Sequence, residues 1–280
     1  MKRRVVFVSV AVAIAAGVIA TSLDAHDLFL RPRDFVLRPG TAVAVRVLNG
    51  TFTTSESAVT PERLRDLSMV GPNGQQHSDR SAWRADGKES SWSLNLGGPG
   101  TYVLGASLDP KTIHLTGAQF NGYLREEGLP DVLAGRRKNG VLQTAAHERY
   151  AKHVKALVHV QGASATGADT AYRAVLGYPA ELVPSSDPYR MKAGASLELR
   201  ALVDGAPVYR QVVIAGGRTI DGAVIPERQI RSDREGKVRF TLTKRGTWYV
   251  KFIHMVEVPP SPQDSVTHES KWATLTFALP

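Results

Sequence analysis

A chain of 280 residues, 42% of them hydrophobic and 22% charged, is long enough for one to two domains and apolar enough to bury real cores, which excludes a disordered polymer. Cysteine is absent, so disulfide scaffolds, thiolate metal sites, cysteine nucleophiles and lipid attachment at cysteine are excluded, and any metal must take nitrogen and oxygen ligands. The formal net charge of +9 is spread thinly, with Arg136-Arg137-Lys138 as its densest basic group; a nucleic-acid partner, which needs clustered Lys/Arg with interleaved aromatics, is not expected.

Lys2, Arg3 and Arg4 precede a sixteen-residue apolar run from Val5 to Ala20 and a short polar stretch, Thr21 to Ala25. This is the pattern of a cleavable signal peptide over residues 1–25, which would place the mature chain in the periplasm. The run falls short of the roughly 20 residues that a spanning helix needs, and no later segment approaches that length, so no stable membrane span is expected after processing. Cleavage after Ala25 makes His26 the mature N-terminus; Ala20 is the alternative. Removing Lys2, Arg3, Arg4 and Asp24 from 35 basic and 26 acidic residues leaves a mature charge of +7.

Period-two alternation then dominates. Val43, Val45 and Val47 alternate with Ala44 and Arg46, Trp92 and Leu94 with Ser93 and Asn95, and Tyr102, Leu104 and Ala106 follow the turn Gly97-Gly98-Pro99-Gly100; these read as half-buried strands. Phe120, Tyr123 and Leu124 at helical spacing, closed by Gly128, followed by Asp131 to Lys138 and Ala145 to Lys152, predict a helical insertion at about 118–152. Alternation resumes at Lys155 to Val160, and the small, polar stretch 161–171 reads as a flexible linker. Further strands are expected around Leu197 to Ala201, Val208 to Ile214, Val238 to Leu242, Trp248 to Phe252 and Leu275 to Leu279. The fold class is therefore all-β: two tandem immunoglobulin-like β-sandwich domains, 26–160 carrying the insertion and 172–280 without one.

Five segments carry a resemblance. His26-Asp27-Leu28-Phe29-Leu30, the stretch Phe120 to Leu129, the stretch His147 to Lys152, the stretch Leu176 to Pro184, and Glu269-Ser270-Lys271-Trp272 with its continuation to Phe277 resemble the bacterial family called domain of unknown function 4198. The likeness spans nearly all of the mature chain; it departs at His268, where the family pattern leads one to expect Trp. The resemblance implies an exported protein, and because some members are named as periplasmic components of nickel or cobalt uptake systems, it implies a divalent cargo and a membrane metal transporter as partner.

The residues offer their own candidates. A terminal His26 presents an α-amine and an imidazole in one residue, a chelate suited to Cu(II), Ni(II) or Co(II); the competing reading is a frayed terminus. His254 continues the face of Trp248, Val250 and Phe252, and Glu269 the face of Leu275, Phe277 and Leu279. Both then lie on core-facing rows at the open end of a hairpin, where they either hydrogen-bond each other or hold a cation together. His268 has the opposite parity and is expected to face outward. His147-Glu148 begins an HExxH-like string, but Ala151 occupies the second histidine position and the zincin reading fails. His153 and His159 are expected at the surface, His77 and His114 carry no role, and Glu181 is expected to pair with an arginine.

No nucleophile elbow, phosphate loop or dinucleotide fingerprint occurs, so an enzyme is not expected. The leading expectation is an exported protein that binds a divalent transition metal ion, Ni, Co or Cu, through His26, His254 and Glu269. The alternative is a non-catalytic periplasmic binding module for a partner protein or an envelope polymer. A copper monooxygenase built on the terminal histidine is a third reading, supported by that residue alone.

Overall fold

The computed structural model describes residues 26–162 and 170–280; the signal peptide over 1–25 and most of the expected linker lie outside the described residues. In chain order the elements are β1 (Asp27–Pro32), β2 (Val36–Leu37), β3 (Ala42–Gly50), β4 (Leu64–Gly71), β5 (Gly74–His77), β6 (Trp83–Asp86), β7 (Glu89–Asn95), β8 (Gly100–Leu108), β9 (Lys111–Leu115), α1 (Gly117–Glu126), α2 (Pro130–Lys138) and β10 (Ala146–Val160). After the connector come β11 (Ala180–Pro184), β12 (Ser196–Val203), β13 (Ala206–Pro207), β14 (Val212–Thr219), β15 (Val224–Arg231), β16 (Lys237–Thr241), β17 (Gly246–Glu257) and β18 (His268–Leu279). The chain is mostly β. Among the described residues no helix is long and apolar enough to cross a membrane.

The strands form three sheets. A ten-stranded sheet runs β15-β14-β17-β18-β10-β8-β4-β5, with β2 and β9 also paired to β10. Two four-stranded sheets complete the fold, β1-β3-β7-β6, and β11-β12-β13 with β16 on β12. The seam is β10 against β18, paired in parallel from Glu148↔His268 to Ala156↔Thr276. Strands from both halves of the chain therefore share one hydrogen-bonded sheet.

Directly paired residues point to the same side of a sheet, so the register assigns every side chain to a face. Val154, Ala156 and Val158 share one face with Leu104 and Ala106, and the β1-β3-β7-β6 sheet covers them with Leu28, Leu30, Val43, Val45 and Trp92. The opposite face carries Leu157, Val250, Phe252, Ala273, Leu275 and Phe277, covered by Leu182, Leu197, Leu199 and Phe240 of the β11-β12-β13 sheet. The N-terminal layer thus lies on one side of the shared sheet and the C-terminal layer on the other.

The helical insertion is shorter than expected. Thr116 and Gln119 form a capping box at the start of α1, its Phe120, Tyr123 and Leu124 are buried, and Gly128 (φ 71°) ends it. Pro130 opens α2, but Ala146 to Lys152, expected as helix, is the first half of β10. The polar residues Glu148, Lys152, His153 and Lys155 are all buried in β10. They hide its period-two pattern from a reading based on apolar residues, because a strand of a parallel pair is covered on both faces.

Charges inside that strand need partners. Lys155 Nζ lies 2.8 Å from Glu181 Oε2, with both side chains almost fully buried, so Glu181 pairs with a lysine and not with an arginine. Glu181 also accepts from the backbone N–H groups of Leu176 (2.9 Å) and Tyr178 (2.8 Å). Gly105 permits this approach: a Cβ there would meet Leu176 Cδ1 at 2.2 Å. Glu181→Ala leaves an uncompensated buried ammonium and is expected to cost about 3–5 kcal/mol in urea unfolding, whereas the double replacement Lys155→Met with Glu181→Leu should recover most of it. A single-mutant cost below about 1 kcal/mol would show that this pair does not hold the joint.

Candidate functional site

β1 fixes His26. Its Leu28, Phe29 and Leu30 are buried, its backbone pairs with β3 from Asp27↔Gly50 onward, and Thr274 Oγ1 donates to Leu28 O at 2.8 Å while Thr276 Oγ1 donates to Leu30 O. The strand is thereby tied across the face of β18. At its start, Lys152 Nζ donates to the carbonyl of His26 and, at 3.1 Å, to Asn49 Oδ1. The imidazole Nε2 of His26 stands 3.1 Å from Glu56 Oε2. Beside it opens a cavity of about 350 Å³ lined by Asn49, Ser57, Arg63, Lys111, Tyr150 and Lys152.

Beneath His26 lies a buried charge network. Lys251 Nζ bonds Asp27 Oδ2 and lies 3.1 Å from Glu127 Oε2. Burial, then the Asp27 charge, pushes the Glu127 carboxyl up to about 7 against the pull of Lys251. Burial pulls the Lys152 ammonium down to about 8, with Asp27 and Glu127 resisting. Burial also raises Glu148, whose Oε1 accepts from Tyr123 (3.0 Å) and from Ser270. Asp27 Oδ1 and Glu148 Oε2 are buried without a hydrogen-bond partner among the described residues.

The other two sequence candidates lie elsewhere. His254 is opposite Lys271 and Glu269 opposite Val256, so both share the face of Phe252 and Ala273, as parity predicted. Lys152, which holds His26, is opposite Trp272 on the other face. The shared sheet separates His26 from the His254/Glu269 pair. His254 Nδ1 lies 3.1 Å from Gln211 Oε1, and burial followed by the Lys271 charge lowers its pKa, favouring the neutral ring. Glu269 accepts from Arg149 Nη1 at 2.8 Å, and Arg149 also binds Asp264. Among the described residues no group of three or more His, Asp or Glu side chains is placed to hold a metal.

Two other histidines depart from expectation. His153 is buried, with Nδ1 2.9 Å from Ser107 Oγ, and burial followed by Arg65 drives its pKa down to about 3. His268 is also buried, packed on Phe120 at 4.7 Å, because its parity points it at α1 and not at solvent; burial, then Arg136, lowers it to about 4. His77 Nδ1 sits 2.8 Å from Asp66, which also accepts from Tyr178 at 2.7 Å. The residues that surround His26 were not singled out by the sequence, although Glu127 and Lys152 each fall in a segment that carries the family resemblance.

Linkage gives the network a measurable signature. Glu127 has a folded pKa raised above its unfolded value near 4.5, so its contribution to stability is present below that value and is lost as pH rises through about 7. Glu127→Gln should match the wild type at pH 5 and exceed it at pH 8 by at most about 2–3 kcal/mol, flattening the dependence of the urea midpoint on pH across that interval. Parallel curves for the two proteins would exclude this burial effect.

Comparison with solved structures returns distant likenesses. One is trypsin-activated alpha-2-macroglobulin from Escherichia coli, at 9% identity and TM-score 0.23, covering 92% of this chain and 16% of that one. Another is a tetra-tandem repeat in the extending region of a large adhesion protein, at 11% identity and TM-score 0.24, covering 91% and 50%. This chain spans at most half the length of either. A comparison with curated proteins finds no match. The family model of the domain of unknown function DUF4198 matches residues 23–256, and the chain belongs to that family.

Proposed function

We propose that the chain is an exported periplasmic protein that carries a divalent transition metal, nickel or cobalt or, on ligand chemistry, copper, at a site built on His26. One observation carries the reading: Glu56 faces Nε2 of His26. A carboxylate at Nε2 holds the proton on that nitrogen and orients the ring, as outer-sphere carboxylates do for metal-bound imidazoles. Nδ1 is then the nitrogen with the free lone pair, and it is the one that closes a six-membered chelate with the residue's own α-amine once cleavage follows Ala25.

His254 and Glu269, engaged by Gln211 and Arg149 across the sheet, stand apart from this chelate. A membrane metal transporter is the receiver that such a carrier requires. In the same reading the two cores are two immunoglobulin-like sandwiches that share their middle sheet. A second reading, a metal-free binding module, draws on the cavity beside His26, where Arg63, Lys111 and Lys152 suit a carboxylate- or phosphate-bearing ligand.

Calorimetric titration of the processed protein with Ni, Co, Cu and Zn salts tests the first reading. One extra residue before His26 converts the amine to an amide and should abolish tight binding; Glu56→Gln should weaken it about 10- to 100-fold. His254→Ala should leave it unchanged. If every ion binds at about the millimolar level of scattered surface histidines, or if the extension has no effect, the metal-carrier reading is wrong.

A further inference from the structure

The far end of β1 carries a different surface. Arg31 at the end of β1, Arg33 just after it and Arg218 of β14 converge on a cleft of about 670 Å³. Arg31 is held in place, its Nη1 donating to Phe52 O at 2.9 Å and its guanidinium lying over the Phe52 ring at 4.9 Å. Arg218 Nη1 reaches Gly222 O at 3.4 Å.

Some arginines elsewhere meet carboxylates, Arg46 with Glu89, Arg149 with Asp264 and Glu269, Arg231 with Asp131, Arg239 with Glu198, whereas others stand singly on the surface. Among the described residues neither Arg31, Arg33 nor Arg218 has an acidic group within 4.0 Å, although Asp34 also lines the cleft. Burial, then Arg46 and Arg218, lowers the Arg31 pKa, as expected where like charges crowd together.

The same cleft is bordered by the tip of the β14–β15 hairpin. Ile220 and Val224 flank that tip with 69% and 61% of their surface exposed, more than the other exposed large apolar side chains, Val175, Tyr209 and Val256. The tip is shaped, not frayed: Thr219 N donates to Ala223 O at 2.9 Å, and Asp221 is engaged by the Thr219 hydroxyl. Single exposed apolar residues and single exposed arginines are ordinary; what sets this face apart is two highly exposed aliphatic side chains on one turn beside three guanidiniums that converge on one cleft.

We infer that this face docks on an anionic phospholipid surface, with Arg31, Arg33 and Arg218 taking lipid phosphates and Ile220 and Val224 entering the headgroup-acyl boundary. Guanidinium forks match phosphate oxygens in pairs, and a negative leaflet attracts each added cation. Short aliphatic side chains on a rigid turn add apolar contact that a soluble anion does not offer. The inference does not depend on the metal reading.

Cosedimentation of the processed protein with phosphatidylcholine vesicles, with and without phosphatidylglycerol, tests it. Binding is expected only with the anionic lipid and should weaken as salt rises. The pair Arg33→Glu with Arg218→Glu should reduce the partition coefficient at least tenfold, and Ile220→Asp with Val224→Asp should do the same. Arg84→Glu with Arg137→Glu, an equal charge change on exposed positions away from the cleft, should have little effect, and circular dichroism confirms that each variant is folded. Equal binding to both vesicle types, or equal losses for the cleft and control pairs, would overturn the inference. So would full displacement by millimolar inorganic phosphate together with unaltered binding of the hairpin variant, since the cleft would then serve a soluble anion.

Discussion

The parallel pairing of β10 with β18 is the constraint from which the rest of the architecture follows. It joins strands from the two halves of the chain into one sheet, so that sheet must be covered on both faces. One half covers one face, the other half the second. A strand buried on both sides has no solvent for its polar side chains, and β10 brings Glu148, Lys152, His153 and Lys155 into that interior. Each therefore recruits a partner: Tyr123 for Glu148, Asn49 and the His26 carbonyl for Lys152 and Glu181 for Lys155 come from other layers, whereas Ser270 for Glu148 and Ser107 for His153 stand on the neighbouring strands β18 and β8 of the same sheet. The interior polar groups act as pins between elements, because each bond requires two elements to be in register.

β1 illustrates this most directly. Among the described residues it pairs with β3 alone in its own sheet, yet Thr274, Thr276, Lys152 and Lys251 of the shared sheet all hold it. Phe29 adds a ring cluster with Phe52 and Tyr249, centroids 4.7–5.3 Å apart. A segment that reads as a terminal strand prone to fraying is instead anchored at almost every residue, so His26 stands on an ordered backbone.

The sequence was most informative where apolar periodicity is undisturbed. Val43, Val45 and Val47 are buried with Ala44 and Arg46 exposed between them, and the rows through Phe252 and Leu275 face the same core. His254 and Glu269 likewise lie on one face, as their parity predicts. Polar residues at buried positions carry no such signal. Ala146 to Lys152 lacks the apolar alternation of a strand, and His153 and His268 look like surface residues until the partner layer above them is known. The surroundings of His26 were illegible for a further reason: Asn49 with Glu56, Glu127, Lys152 and Lys251 come from four separate stretches of chain, and only the tertiary fold brings them together. The segments resembling the family did contain two of them, but spacing along the sequence could not say what they touch.

The same register decides which groups near His26 are free to act as ligands. Asp27 and Glu127 share the ammonium of Lys251, and Glu148 is occupied by Tyr123 and Ser270. Each of these carboxylates already has one oxygen engaged, and the oxygens left without a partner, Asp27 Oδ1 and Glu148 Oε2, are buried. The acidity of these groups balances Lys152 and Lys251 and fixes the backbone on which His26 stands. Glu56 is different: its side chain is 40% exposed against 21% for His26, and it meets the imidazole without a buried cation between them. In the proposed metal reading the nitrogens of His26 therefore lead the donor set, with Glu56 beside Nε2. In the same reading, further donors to a bound ion come from solvent or from the ligand that accompanies it.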